Sequence, residues 1–408
     1  MTDPLGQSQV LPYLLGLSSK HQIEIHLISF EKPEKFKVKQ NDIRNLIKGA
    51  SIIWYPLTYH QRPPIISTLF DIWQLHKKAE EIIASNNITL VHCRSYISAL
   101  KGLAIKKKTG IPFIFDMRGF WADERIDGKI WNLKNPIFKI IYRFFKKKEK
   151  QFIKESARII SLTENAKNEI LNWQIELVDH HKIEVIPCCA DLDHFSINTI
   201  NAEKLNQWKA KLGIENKDYI ISYVGSLGTW YMIDEMMDFF KVAQNKIPNS
   251  KFLLITADNP LIVLNAAKRL NISENSIIVK KADRKEVPYL IALSKFSMFF
   301  IKPAYSKKAS SPTKLAEILG MGIPVICNAN VGDVENIVLS GNVGFVVKEF
   351  TKIAYENAIN QMIDFLPADQ DRISKFANKY ASLEDGITKY IRVYNEIVES
   401  IDDGKTRL

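Results

Sequence analysis

Cysteine is scarce in this chain. Four residues in 408, Cys93, Cys188, Cys189 and Cys327, cannot build a disulfide scaffold, and the adjacent Cys188-Cys189 pair is not a metal clip. The eight histidines form no H-E-x-x-H or comparable array, so neither a bound metal nor a cofactor is expected. No apolar run approaches the roughly 18 residues of a membrane-spanning helix. The opening Met1-Thr2-Asp3-Pro4-Leu5-Gly6 lacks both the basic region and the apolar stretch of a secretory signal, so a reducing, cytoplasmic compartment is the expectation. Glycine and proline, 17 and 16 residues, are too few for a collagen-like or low-complexity chain. A leading strand is also missing. Helical periodicity starts near Ser8 with no apolar run before it, whereas doubly wound domains usually lead with a strand, so an upstream strand is expected to have been cut off.

What is present suffices for two cores of roughly 200 residues each, since 46% of residues are hydrophobic. The net charge of +11 is uneven. Residues 1–190 carry 29 Lys and Arg against 19 Asp and Glu, and the remainder 27 against 26. The basic surface therefore belongs to the first half, where it suits nucleic acid, anionic lipid or a phosphorylated substrate.

Short apolar runs alternate with helical periodicity throughout. Strands are predicted at Ile23–Phe30, Ser51–Tyr55, Thr89–Cys93, Pro112–Asp116, Arg158–Leu162 and Ile183–Ile186. A second train follows at Tyr219–Val224, Lys251–Thr256, Ile277–Val279, Met298–Ile301, Pro324–Cys327 and Gly344–Val346. The fold class is α/β, with two doubly wound domains over 1–190 and 191–380 and a boundary within Pro187–Asn201. Helical stretches at Tyr355–Leu366 and Leu383–Ser400 close the chain.

Ligands of open α/β sheets bind beyond the carboxyl ends of the strands, which directs attention to the segments after each strand. In the first half, Leu5-Gly6-Gln7-Ser8 is either a ligand loop, with Gly6 allowing close approach, or a helix cap. Phe115–Arg125 (FDMRGFWADER) puts Asp116, Arg118, Asp123, Glu124 and Arg125 behind a strand. Arg118 offers a rigid donor fork for anionic or sugar oxygen, and a carboxylate such as Asp116 can orient a hydroxyl or take its proton. Trp121 stacks on a sugar face or fills the expected interdomain cleft. Arg94 and Ser95 face a cleft more readily than His92, which points into the sheet. Lys134–Lys154 carries eight Lys and Arg against one Glu, beside an apolar face of Ile137, Ile140, Ile141, Phe144, Phe145 and Phe152. It is either a helix lying on anionic lipid or a packed helix with solvated lysines; nucleic acid is not the expected partner.

In the second half, Gly225–Tyr231 (GSLGTWY) follows a strand, and its amides suit a diphosphate although it is not G-x-G-x-x-G. Lys302–Glu317 bridges a strand to a helix. Pro312 pre-organises the helix start, the amides of Thr313, Lys314 and Leu315 suit phosphate oxygens, and Lys314 adds charge. Glu317, one turn in, is placed to accept two ribose hydroxyls.

With DPLGQSQVLPY at Asp3–Tyr13, VIPCCADLDHF at Val185–Phe195 and SSPTKLAEILGMGIP at Ser310–Pro324, these segments together resemble bacterial family 4-type glycosyltransferases of the GT-B fold. The resemblance spans essentially the whole chain. It implies an acceptor domain at the N-terminal side, rejoined by a helix within 381–408, and a nucleotide-sugar domain at the C-terminal side across a cleft. It also implies transfer from a nucleotide-diphosphate sugar with retention, without metal, to a saccharide or lipid-linked saccharide. In that pattern Glu317 is the second glutamate of E-x7-E and holds the ribose. The first falls at Ala309, where Lys308 or Ser310 would replace part of its contact. Ser226 stands where relatives carry Arg, which shifts diphosphate neutralisation to Lys302, Lys307, Lys308, Lys314 or Arg284. Asp116 and Arg118 stand where many relatives place a catalytic-region His. Other readings on the same plan are a nucleotide-sugar epimerase or hydrolase, and a catalytically weak membrane-associated scaffold.

Overall fold

The computed structural model describes residues 1–21, 23–365 and 370–406, with the backbone alone for 402–406. The chain forms two compact units, Met1–Cys189 with Leu383–Leu408, and Ala190–Ser382. The first unit runs α1 (Pro4–Gln9), α2 (Leu11–His21), β1 (Ile25–Glu31), α3 (Pro33–Leu46), β2 (Ile52–Thr58), α4 (Ile66–Ser85), β3 (Val91–Arg94) and α5 (Tyr96–Thr109). It continues with β4 (Phe113–Asp116), α6 (Trp121–Asp127), α7 (Pro136–Glu155), β5 (Arg158–Ser161), α8 (Glu164–Asn172) and β6 (Ile183–Val185). Strand pairing is parallel throughout, in a two-stranded sheet β1-β2 and a four-stranded sheet β3-β4-β5-β6. Phe113, Ile114 and Phe115 of β4 are all buried, as a strand covered by helices on both faces requires.

The second unit comprises α9 (Ala202–Leu212), β7 (Tyr219–Val224), α10 (Ile233–Lys246), β8 (Ser250–Ile255), α11 (Leu261–Arg269), β9 (Ile277–Lys280) and α12 (Val287–Ala292). After these come β10 (Phe296–Phe299), α13 (Thr313–Gly320), β11 (Val325–Asn328), α14 (Val334–Ser340), β12 (Gly344–Val347), α15 (Lys352–Asp364) and α16 (Gln370–Ala381). Its six parallel strands lie in the order β12-β11-β10-β7-β8-β9. From β7 the chain steps outward through β8 and β9, then restarts at β10 on the other side of β7. This reversal opens a crevice at the carboxyl ends of β7 and β10, and the segments leaving those two strands line it.

Helix α17 (Leu383–Thr406) returns to the first unit. Ile387, Tyr390, Val393 and Ile397 recur along one face and pack with Tyr13, Leu17, Ile114, Ile160 and Ile186. Each such side chain, fully buried, contributes roughly 1.5–3 kcal/mol.

Two expectations change at the amino end. The first helix starts at Pro4, whose fixed φ suits a first turn, and not at Ser8. Gly6 is therefore a buried helical residue, and a Cβ there would meet Met1 Cα at 2.8 Å. Leu5-Gly6-Gln7-Ser8 is thus helical and not a loop, with Gly6 buried and Leu5 exposed. The helix expected from Tyr355 is α15; Leu366, its predicted end, lies outside the described residues, as do 407–408 of the closing segment. No helix among the described residues is long and apolar enough to cross a membrane.

Candidate active site

The second unit's crevice is organised by α13. Pro312, extended, occupies the N-cap position, and Leu315 turns its N–H back to the Pro312 carbonyl at 3.0 Å. The Leu315 side chain is buried in the core. The expected three-amide cradle thus narrows to Thr313 and Lys314, because the Leu315 donor is already used.

Lys314 does not reach into solvent. Its Nζ lies 3.6 Å from the Tyr231 ring centroid and 4.3 Å from that of Tyr223, and it donates to Tyr223 Oη at 3.3 Å. Burial pushes its pKa well below the ordinary lysine range, with Glu317 opposing. One turn on, burial raises the Glu317 carboxyl to about 7 against the pull of Arg284 and Lys314. Arg284 Nη1 stands 3.8 Å from Glu317 Oε1. The arginine is itself placed by Phe195, whose ring its guanidinium overlies at 5.3 Å, and by His194 Nε2, 3.1 Å from the Arg284 carbonyl.

Gly225 explains how Lys314 meets the other loop. Its φ is +128°, and an added Cβ would lie 2.7 Å from Lys314 Nζ. The ammonium fills the space that a side chain at 225 would take. Ser226 is exposed, and its carbonyl accepts a hydrogen bond from Tyr223 Oη. Leu227 N donates to Asp258 Oδ2 at 2.5 Å, which pins the turn.

The structure therefore joins Gly225, Arg284, Lys314 and Glu317. Lys302 and Lys308 are exposed on the loop between β10 and α13; Lys302 N–H donates to the Trp230 carbonyl at 2.8 Å, and Lys308 lies 5.3 Å from the Tyr305 ring. Ser310 is half-buried, with its N–H on the Lys307 carbonyl, and Ala309 is buried. Lys307 Nζ sits 3.7 Å from the Trp230 ring centroid. Tyr223 and Tyr231 escaped sequence reasoning. Tyr223 reads as one more apolar residue of a buried strand.

In the first unit, Asp116 closes β4 at 1% exposure. Its Oδ2 accepts from Tyr390 Oη at 3.1 Å and Arg94 Nη1 at 3.4 Å, and lies 3.4 Å from His92 Nε2. Arg118 Nη1 stands 3.8 Å from Oδ1. Burial disfavours the carboxylate, yet Arg118, His92 and Arg94 outweigh it and hold the pKa at about 2. A group this acidic does not take a proton near neutrality. Asp116 is thus ionised near neutrality and forms a buried tie that positions two arginines.

Arg118 has φ +54° and Ser95 φ +71°, both strained for residues with side chains. Arg118 also donates to Cys188 Sγ at 3.3 Å. Two guanidinium groups on one carboxylate leave a surplus positive charge, with Arg94 and Arg118 still 29% and 12% open to solvent. That suits an anionic oxygen. Trp121, half-buried, packs in a cluster with Tyr96, Trp131 and Phe145. Asp123 accepts from Tyr142 and Lys146, both at 2.8 Å, and is structural. Tyr390 and its neighbour Tyr394, whose Oη lies 2.6 Å from His92 Nδ1, belong in the sequence only to the closing helical stretch. Among the described residues, no group of three or more His, Cys, Asp or Glu is placed to hold a metal.

On α7 the predicted apolar face divides. Phe145 and Phe152 are buried, while Ile137, Ile140 and Phe144 are exposed. Lys146 is committed to Asp123 and Glu149, whereas Lys139, Arg143 and Lys147 remain exposed on the flank.

Residues 6–194 match the family described as Glycosyltransferase Family 4, and residues 205–380 match Glycosyl transferases group 1. The chain belongs to the family 4-like glycosyltransferases of the GT-B fold. A curated relative, the alpha-monoglucosyldiacylglycerol synthase of Acholeplasma laidlawii, is 24% identical over 178 residues, which span only 42% of either chain. A glycosyltransferase from Rickettsia africae superposes with TM-score 0.72 at 18% identity, covering 97% of this chain and 96% of its own. WaaG, a glycosyltransferase involved in lipopolysaccharide biosynthesis, gives TM-score 0.61 at 14% identity over 92% of this chain and 93% of its own. At these identities the two structures attest the fold alone.

Proposed function

We propose that this glycosyltransferase moves a sugar from a nucleotide-diphosphate donor to a saccharide or lipid-linked saccharide, with retention, in cell-surface polysaccharide or lipopolysaccharide synthesis. The observation that carries the reading is the Lys314–Glu317–Arg284 cluster at the start of α13, at the reversal point of the second unit's sheet. Glu317 accepts the ribose hydroxyls. The Thr313 and Lys314 amides, with the Lys314 ammonium, take the diphosphate where charge develops on departure. The bond from the anomeric carbon to the phosphate oxygen breaks, and the acceptor hydroxyl bonds to that carbon from the same face. Its proton passes to the departing phosphate oxygen, so no covalent enzyme nucleophile is used. Arg118 and Arg94 orient an anionic oxygen on the acceptor side. The names of the Acholeplasma relative and of WaaG support a lipid-bound acceptor, as does α7, which presents apolar residues beside exposed cations.

Purified protein given membrane lipid extract and a panel of UDP- and GDP-sugars is expected to yield sugar-labelled lipid whose anomeric configuration, read by NMR, matches the donor. An inverted product removes the retention claim, and donor turnover without acceptor points instead to an epimerase or hydrolase.

The membrane contact through 134–154 has its own check. Each basic residue near an anionic surface contributes on the order of 1 kcal/mol. Reversing Lys139, Arg143 and Lys147 to Glu is expected to abolish low-salt binding to phosphatidylglycerol vesicles while leaving turnover of a soluble acceptor largely intact. Unchanged vesicle binding would reassign α7 as an ordinary packed helix.

A further inference from the structure

Helix α4 carries a second apolar surface that the transfer reaction does not use. Ile66, Leu69, Phe70 and Trp73 are 65%, 61%, 46% and 57% exposed. Their spacing places them on one helix face, and Tyr59, also exposed, precedes them on the loop from β2. A water-soluble surface seldom gathers four large apolar side chains so openly. The stripe is also ordered: Phe70 and Trp73 stack at 5.7 Å, and His60 meets the Phe70 ring edge while pairing with Asp71 at 2.6 Å. Lys77 Nζ lies 5.7 Å from the Trp73 ring, so a cation borders the apolar surface one turn on. Asp71, the acidic residue within the stripe's span, is buried and held by His60, which leaves the face itself without exposed negative charge.

Its place in the fold gives the stripe a direction. α4 packs on α5, which packs on α7; Lys101 of α5 reaches Glu80 of α4, and Tyr96 of α5 hydrogen-bonds Glu149 of α7. Each of these helices begins beyond the carboxyl end of the strand before it. The stripe occupies the first half of α4, as Ile137, Ile140 and Phe144 occupy the first half of α7. Asp116, Arg94 and Arg118 lie at that same carboxyl end of the first unit.

We infer that the Ile66–Trp73 face of α4 inserts into an anionic lipid bilayer, forming with the start of α7 a two-point contact that turns the acceptor end of the first unit toward the membrane. The inference rests on the membrane reading of α7 and extends it, with α7 supplying charge and α4 the aromatic wedge. Lipid is favoured over a second copy of the chain by charge. The exposed cations of α7 and the net excess of basic residues in 1–190 repel another copy and attract an anionic surface. A tryptophan with a lysine at its edge also suits the bilayer interface, where the ring sits among acyl chains and the ammonium among headgroups.

All four native cysteines are buried, so Leu69→Cys can be labelled selectively with an environment-sensitive fluorophore in the full-length protein. With phosphatidylcholine–phosphatidylglycerol vesicles the label is expected to shift to the blue, whereas a label at exposed Leu261→Cys in the second unit stays unchanged. Phe70→Ser with Trp73→Ser is expected to weaken vesicle binding by roughly tenfold or more, without altering its salt dependence. Vesicle binding by the unlabelled protein with no shift at Leu69→Cys overturns the inference and spares the α7 reading. Absence of any vesicle binding overturns both. A dimer in sedimentation velocity that Phe70→Ser with Trp73→Ser dissolves overturns it in favour of a second copy.

Discussion

Asp116→Ala is expected to destabilise the first unit by about 3–5 kcal/mol, the range for breaking a buried ion pair by removing one partner. The substitution leaves Arg94, Arg118 and the Tyr390 hydroxyl without the carboxylate that joins β3, β4 and α17. Acid reproduces part of the effect. The folded carboxyl titrates at about 2 against an ordinary 3.8, so its contribution is fully present above pH 4 and is lost as pH falls through 2. That difference corresponds to about 2 kcal/mol. Hydrogen exchange across β3 and β4 separates this loss from unfolding of the second unit. Wild-type protection in Asp116→Ala would dismiss the tie.

Glu317→Ala is expected to weaken nucleotide-sugar binding by about 1.5–3 kcal/mol, the worth of a charge-assisted hydrogen bond. Its pH profile identifies the cause. Ribose hydroxyls donate to an ionised carboxylate, and the empty site holds Glu317 at about 7. Donor affinity therefore rises with pH between roughly 6 and 8 in the wild type and stays flat in Glu317→Gln. Arg284 and Lys314 are the cations facing this carboxyl. Stability of the empty protein runs the other way, because a raised carboxyl pKa favours the folded state below 4.5 and that advantage is lost as pH climbs through 7. Calorimetric titration with UDP-glucose and GDP-mannose, whichever binds, across this range checks the claim; a pH-independent affinity in the wild type would contradict it.

The strands of both units were legible because each is a run of apolar residues bounded by turn formers, and burial on both faces demands that pattern. Glu317 and Lys314 were legible as well, one turn apart after Pro312. What Lys314 touches was not. Its cage of Tyr223 and Tyr231 lies more than 80 positions earlier in the chain, and a lysine ordinarily signals a solvated charge. The same distance hid the partners of Asp116, since Tyr390 is 274 residues away and belongs in the sequence only to the closing helical stretch. Gly6 misled for the opposite reason. The Asp-Pro-Leu-Gly pattern suits a loop, but Pro4 also opens a helix, and contact with Met1 decides between the two. On α7, periodicity revealed one apolar face, whereas Lys146, Phe145 and Phe152 are claimed by neighbours that only tertiary packing supplies.

The return of α17 to the first unit has a consequence for biosynthesis. Residues 190–382 form a contiguous body, whereas the first unit needs a helix that leaves the ribosome only after that body. At 5–20 residues per second, roughly 10–40 s pass between the emergence of β6 and that of Tyr390. Through that interval Ile114, Ile160 and Ile186 lack their covering helix, and the arginines at Asp116 lack the hydroxyl that completes their anchor. The half-made protein thus presents an apolar groove to the cell, and a released chain truncated before Leu383 should be a substrate for chaperones through its first unit.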